Sequence, residues 1–217
     1  ANTQPAIFLV SYSIFKVIKD EFNINLNEAK YFAGHSLGEY SALSCAGYLD
    51  FEKTIKILRV RGKAMQNSVD KNKGSMAAIL GLNIDQIIEI ISKNKLQDNI
   101  FIANDNADGQ VVLSGLREYI ESSLEIFREN GAKKVMQLAV SAPFHCPLMR
   151  PAQEIMEKSL SSIKLETPSV PVISNVTVDF SSSEDQIKNN LVNQVTEMVR
   201  WRETMIKFID LGVEEFY

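Results

Sequence analysis

Two side chains in this sequence have the types and setting of a nucleophile and its base. Ser36 sits in Gly34-His35-Ser36-Leu37-Gly38, the G-x-S-x-G pattern of a serine carried on a tight strand-to-helix turn. A serine hydroxyl is a weak nucleophile until a base takes its proton. Histidine titrates near neutral pH and can return that proton to a leaving group. The chain has two histidines, His35 and His145. His35 directly precedes the serine, which aims its ring away from the hydroxyl. His145 is therefore the candidate base, in a loop held by Pro143 and Pro147. The chemistry of such a pair is attack on a carbonyl through an acyl-serine. Gly34 and Gly38 are expected to remove side chains that would collide with the neighbouring strand and helix. The helix that follows points its N-terminus at the developing oxyanion, and the Leu37 amide is the expected donor. A glycine-rich turn that needs only small residues, with a structural histidine elsewhere, has the same local pattern.

These residues need elements to hold them. Residues 5–20 place Ile7, Val10, Ile14, Phe15 and Ile18 at helical spacing, with Pro5 in the first turn. A polar loop is expected over 23–30, then a short buried strand at Tyr31-Phe32-Ala33 before the Ser36 turn. A small-residue helix continues over 41–46 to Gly47, and Asp50 is placed to cap the next helix, through Ile55, Leu58, Val60 and Met65. Then come a strand at 76–80, a helix at 85–93, a strand at 100–103, a turn at 104–110, a strand at 111–113, a helix at 117–130 and a strand at 134–140. The order β-α-β-β-α-β is that of a ferredoxin-like unit, placed near 73–138. Beyond the His145 loop, a helix over 148–162, a strand over 170–174 and helices over 186–195 and 201–211 complete an α/β alternation. The chain opens directly into a helix and stops at Glu214-Glu215-Phe216-Tyr217, which reads as the start of a strand. Both ends read as cut.

Composition narrows the chemistry further. The 217 residues suffice for one core or a large domain with an insert. The net charge of −4 and the lack of a Lys/Arg block disfavour nucleic acid or an anionic membrane as partner. Two cysteines, Cys45 and Cys146, make no disulfide framework and suit a reducing compartment. No apolar run is long enough to span a membrane, no signal-peptide pattern opens the chain, and neither histidine lies in a zinc-type spacing.

The longer stretch GHSLGEYSALSCAG at 34–47 closely resembles malonyl-CoA:acyl-carrier-protein transacylases, the acyltransferases of fatty-acid synthesis, and the acyltransferase domains of polyketide synthases. Further stretches resemble the same family in order. These are Val60-Arg61-Gly62-Lys63-Ala64-Met65-Gln66, the hairpin from Asn104 to Gly115, Ser141-Ala142-Pro143-Phe144-His145-Cys146 and Pro171 to Val176. The resemblance implies a ping-pong reaction. Ser36 takes the malonyl group from malonyl-CoA with His145 as base, then passes it to the phosphopantetheine thiol of acyl carrier protein. It implies that Arg61 holds the malonyl carboxylate, for which a planar, permanently charged guanidinium is suited. By residue type alone Arg59 looks equivalent. It implies that the backbone carbonyl of Gln194 orients the imidazole, that Asn104 and Asn106 are pocket residues near the histidine, and that Phe144 favours malonyl over branched units. Turn asparagines and a core phenylalanine are the structural alternatives. No metal or resident cofactor is expected, since phosphopantetheine arrives on the substrates CoA and carrier protein.

The expected fold class is α/β. An α/β-hydrolase-like core with a parallel sheet, over 1–72 and 139–217, carries an inserted ferredoxin-like subdomain over 73–138. The expected partners are malonyl-CoA and acyl carrier protein, with neither nucleic acid nor membrane. The expected state is a monomer in the cytoplasm, an organelle stroma or matrix being the variant. Carrier proteins are acidic, so a local basic patch is needed, and Lys133 and Lys134 are its candidates. The family's Gly-Gln-Gly-Ser-Gln-type loop, whose glutamine supplies the second oxyanion amide, and its later Gly-Pro-Gly segment do not occur in this sequence. The full protein is therefore expected to be the enzyme, and the 217 residues alone to be inactive or incomplete. Three other readings stand beside the transacylase of fatty-acid synthesis. They are the acyltransferase domain of a polyketide synthase, a serine esterase or thioesterase of α/β-hydrolase type, and a non-catalytic carrier-binding domain.

Overall fold

A computed structural model describes residues 2–22, 24–140, 142–167 and 170–217. Asn23, at the head of the expected polar loop, and Ser141, at the head of the expected histidine loop, lie outside the described residues. The fold is α/β.

The larger part of the molecule is a helical layer built around a short buried helix. Helix α1 (Thr3–Glu21) and helix α3 (Phe51–Asn67) flank helix α2 (Leu37–Cys45). The Asp50 carboxylate accepts the Lys53 amide at 2.7 Å, closing the N-terminus of α3. Tyr40, Ala42 and Leu43 of α2 are buried against Phe8 of α1 and Leu58 and Met65 of α3. Because α2 is walled in on most sides, even its polar residues Glu39, Ser41 and Ser44 are buried.

Residues 74–137 form a four-stranded sheet with two helices. Strand β1 (Gly74–Leu80) leads to helix α4 (Ile84–Lys93), strands β2 (Ile100–Ala107) and β3 (Gln110–Leu116), helix α5 (Arg117–Glu129) and strand β4 (Lys134–Gln137). The strand order is β2-β3-β1-β4 and every neighbouring pair is antiparallel. Side chains alternate across β1. Ala77 and Ile79 face the core under α4 and α5, with Ile87, Ile120 and Phe127. Met76 and Ala78 face the other way, onto Leu138, Val140 and Phe144. Phe144 also packs on the helical core, so it joins the two clusters one residue before His145.

The chain then runs through a single 3₁₀ turn (Pro147–Met149) into helix α6 (Arg150–Ser161), which packs on α3, and on to helices α7 (Glu184–Asn193) and α8 (Trp201–Asp210). No helix among the described residues is long and apolar enough to cross a membrane.

Several expectations are corrected. Asn104 to Ala107 are strand rather than turn. β2 continues through them because Asn104 opposes Val112 and Asp105 opposes Val111, with register shifts on either side, and because Asp105 N donates to Val199 O at 3.0 Å. Only Asp108 and Gly109 turn the hairpin. The strands expected at 31–33 and 170–174 reduce to isolated bridges, the two segments meeting only in the parallel bridge of Phe32 to Val172, with Ile173 in a second, antiparallel bridge to Phe180. The parallel bridge is made by Phe32 N to Pro171 O at 3.0 Å and Ile173 N to Phe32 O at 3.1 Å. No further described strand flanks that bridge, so a parallel sheet is not developed among the described residues. Glu214 to Tyr217 carry no strand and make no bridge to another described segment. Gln137 ends β4, three residues short of the expected Val140, where Val140 N turns back to Leu138 O.

Candidate active site

Ser36 is the residue that enters α2, and its backbone is left-handed, with φ 55° and ψ −112°. A non-glycine residue rarely holds such angles, and the surroundings must over-determine them. Asn175 does this from outside the motif. Its Oδ1 accepts the Ser36 amide at 2.7 Å and its Nδ2 donates to the Gly34 carbonyl at 2.9 Å. Gly34 is required by space, since a Cβ there would lie 1.8 Å from the Gly38 carbonyl oxygen. Gly38 is not, since a Cβ would meet nothing within 4 Å. The collision expected at Gly38 is replaced by one between its carbonyl and residue 34. Leu37 is the first residue of α2, so its amide has no acceptor within the helix.

The hydroxyl of Ser36 lies 2.8 Å from His145 Nε2. His145 Nδ1 lies 2.8 Å from the main-chain oxygen of Gln194. A carbonyl only accepts, so Nδ1 carries the proton and Nε2 offers its lone pair to the hydroxyl. Burial, with the Arg61 charge second, pushes the His145 pKa down to about 3, against the raising effect of the Gln194 carbonyl. The imidazole is therefore neutral at physiological pH and free to accept a proton. His145 also holds a left-handed backbone, φ 56°.

His35 makes different contacts. Its Nε2 lies 2.8 Å from Asn106 Oδ1 and its ring meets the edge of Trp201. Asn106 thus sits against His35, not His145. Asn104 is buried, and its backbone bridges Val199. Neither asparagine lines the cavity at Ser36. Both are carried by the extended β2, which passes on the His35 and Val199 side.

That cavity has a volume of about 400 Å³. Ser36, Leu37, His145, Arg61, Phe144 and Gln4 are among its walls. Arg61 is fully buried whereas Arg59 is exposed and reaches Asn2. Arg61 Nη2 donates to Ser36 Oγ at 3.2 Å and to Gln194 Oε1 at 2.8 Å, and Nη1 donates to Gln4 Oε1 at 2.8 Å. The guanidinium lies over the Tyr40 ring at 5.6 Å. Its Nε has no hydrogen-bond partner, and no carboxylate pairs with the group among the described residues. Burial lowers its pKa, opposed by Tyr40 and Glu39, yet arginine stays charged.

Four parts of this network gave no signal of their role in the sequence. Gln4 reaches Arg61 from the first helix. Asn175 lies in a stretch matched for its pattern alone. The Gln194 side chain binds Arg61, the Ser36 carbonyl at 3.1 Å and Glu39 at 2.6 Å. Glu39, inside the serine motif, is buried and accepts at Oε2 from both Gln194 and the Asn175 amide. Burial raises its pKa to about 7, against these hydrogen bonds and the Arg61 charge.

The acyl transferase domain family matches residues 1–216. The malonyl CoA-acyl carrier protein transacylase of Haemophilus influenzae is 41% identical over 212 residues, 98% of this chain and 67% of that protein. The crystal structure of acyl-carrier-protein-S-malonyltransferase from Bartonella henselae superposes with a TM-score of 0.92 at 42% identity, covering 98% of this chain and 68% of that one. A malonyl-transacylase solved in complex with its type II PKS acyl-carrier protein gives 0.91 at 38%, covering 97% and 67%.

Proposed function

Because the chain belongs to the acyl transferase domain family, among the malonyl CoA-acyl carrier protein transacylases, we propose that it moves a malonyl group from malonyl-CoA to acyl carrier protein through an ester on Ser36, for fatty-acid synthesis. One observation carries this reading. A buried guanidinium without a carboxylate partner among the described residues, Arg61, shares a cavity with the Ser36–His145 pair and touches the serine oxygen. A thioester that presents its own carboxylate satisfies that charge while its carbonyl meets the nucleophile.

The steps follow from the proton positions. His145 Nε2 takes the hydroxyl proton as Ser36 Oγ bonds to the thioester carbon. The carbonyl electron pair moves onto oxygen, facing the Leu37 amide at the start of α2. Its collapse breaks the carbon–sulfur bond, and CoA leaves as a thiol with the proton from His145. The carrier's phosphopantetheine thiol then gives its proton to His145 as its sulfur bonds to the malonyl-serine carbonyl carbon; collapse breaks the carbon–Oγ bond, and His145 returns the proton to Ser36 Oγ. The Gln194 carbonyl holds the imidazole tautomer through both halves. Phe144 narrows the cavity wall beside the acyl group. Asn104 and Asn106 have no part in this mechanism.

The architecture is read in the same way. The strand order and antiparallel pairing of 74–137 support a ferredoxin-like subdomain within 73–138. The turn at Ser36 and the Phe32–Val172 bridge support an α/β-hydrolase-like core over 1–72 and 139–217. Lys133 and Lys134 are exposed and are the proposed docking point for the acidic carrier.

The test is incubation of the full-length protein with malonyl-CoA and the holo carrier. Malonyl-carrier and a malonyl adduct on Ser36 are expected. Ser36→Ala and His145→Ala each lose about 10³-fold or more in rate, while His35→Ala keeps most of it. Free malonate without malonyl-carrier, or full transfer by Ser36→Ala, rejects the proposal.

A further inference from the structure

One buried ionisable group at the site has no part in the transfer just described. Glu39 lies on α2 three residues after the nucleophile and is 3% exposed. Its Oε2 is the meeting point of two arms. The Asn175 amide donates to it at 3.1 Å, and the Asn175 side chain grips both Gly34 and Ser36. Gln194 Nε2 donates to it at 2.6 Å. The same Gln194 accepts from Arg61 through Oε1 and from His145 through its main-chain oxygen. An arginine only donates, so the orientation of the Gln194 amide is fixed, with oxygen toward Arg61 and nitrogen toward Glu39.

A neutral carbonyl occupies the place behind the imidazole where an acid stands in a Ser-His-Asp triad. When Ser36 attacks, His145 becomes an imidazolium beside Arg61, and two positive charges then share a buried site. Among the described residues of this network Glu39 is the only buried carboxylate, one residue further out. Arg61 from α3 and the Tyr40 phenol on its own helix are the titratable groups that act with it, and the segments at 175 and 194 present neutral amides.

We propose that Glu39 is a positioning residue for the acyl transfer, anchoring the side chain of Gln194, the residue whose main-chain carbonyl orients His145, and setting its negative charge across space from the imidazolium that forms there. The proposal rests on the reading of Ser36 and His145 as nucleophile and base. It does not depend on the identity of the acyl group. A raised carboxyl pKa near 7 gives the effect a signature, because only the ionised form supplies the charge.

The experiment measures labelling of Ser36 by a fluorophosphonate, in which the serine oxygen displaces fluoride at phosphorus and His145 takes the proton. Rates are followed from about pH 5 to 9 in the full-length protein, in Glu39→Gln and in Glu39→Asp, with thermal melts as the folding control. Glutamine can keep an acceptor oxygen toward both donors while removing the charge. The wild-type rate is expected to rise through pH about 7. Glu39→Gln is expected to label roughly tenfold more slowly at alkaline pH and to lose that rise. Equal rates and profiles in a folded Glu39→Gln overturn the proposal, as does a wild type with no rise. If Glu39→Gln does not fold, Glu39→Asp decides, since it keeps the charge and should keep the rise, and a flat profile there overturns the proposal. Labelling without malonyl transfer rejects malonyl as the cargo and leaves Glu39 judged by its own profile. No labelling of Ser36 at all rejects both.

Discussion

Replacing Glu39 by glutamine should make the protein's stability respond differently to pH. The carboxyl is fully buried, and burial lifts its pKa from an ordinary 4.5 to about 7. At about 1.4 kcal/mol for each tenfold in the proton equilibrium, ionising the folded carboxyl costs about 3 kcal/mol more than ionising the unfolded one. The sign follows from which state binds the proton. Below pH 4.5 both states are protonated and no cost appears. As pH rises toward 7 the unfolded chain ionises first, so stability falls, and above about 7 the loss is complete. His145 works in the opposite direction. Its pKa of about 3 lies below the ordinary 6.5, so its contribution is present above 6.5 and is lost as pH falls. Comparing wild type with Glu39→Gln cancels the histidine and isolates the glutamate. Glutamine also puts an amide nitrogen in place of Oε1, a cost that does not vary with pH. Urea unfolding followed by the fluorescence of Trp201, the one tryptophan, at steps from about pH 4 to 8 measures the difference. The variant should gain about 3 kcal/mol on the wild type across that range. A gap that stays constant with pH refutes the reasoning, since it means the carboxyl ionises as easily folded as unfolded.

Two further outcomes follow from the geometry. Arg61→Ala should cost malonyl transfer about 10²-fold or more, through the lost charge-assisted pair, while acetyl transfer from acetyl-CoA falls far less; parallel loss for both acyl groups, measured as kcat/KM, counts against carboxylate recognition. Gly34→Ala should destabilise the fold by roughly 3 kcal/mol or more, because its Cβ would meet the Gly38 carbonyl at 1.8 Å, whereas Gly38→Ala, facing open space, should change thermal stability by less than about 1 kcal/mol.

What the sequence made legible was local. Apolar periodicity located the helices, and G-x-S-x-G located the turn that lifts Ser36. With two histidines in the chain, His145 followed by exclusion of its neighbour. Arg61 needed the family resemblance, although α-helix geometry holds the reason that it differs from Arg59. Residues two apart point about 200° apart around a helix, so one can face the core while the other faces water. What stayed hidden was long-range. Glu39 meets partners 136 and 155 positions away, and the local pattern carries no trace of them. By composition a glutamate in a helix belongs at the surface, and only the enclosure of α2 reverses that. The strand through Asn104, Asp105 and Asn106 failed for a related reason. Asn and Asp favour turns by local chemistry, but pairing with β3 and with Val199 over-rides it.

Under the proposed malonyl transfer, the arrangement of charge gives a reason for a glutamine rather than an acid at position 194. A carboxylate there would pair directly with Arg61 and meet its buried charge within the protein. An incoming substrate carboxylate would then have to displace a formed, desolvated ion pair, which is costly to break. It would also face repulsion from the resident anion. The Gln194 amide avoids both. Its oxygen is a neutral acceptor for Arg61 that a carboxylate can replace, and its nitrogen donates to Glu39. The negative charge is close enough to be felt by Arg61 and Tyr40 yet makes no contact with the guanidinium. In the proposed reaction the one residue Gln194 therefore separates two demands that a triad acid combines. Its main-chain carbonyl would orient the base, and its side chain would keep the counter-charge out of the place proposed for the substrate carboxylate.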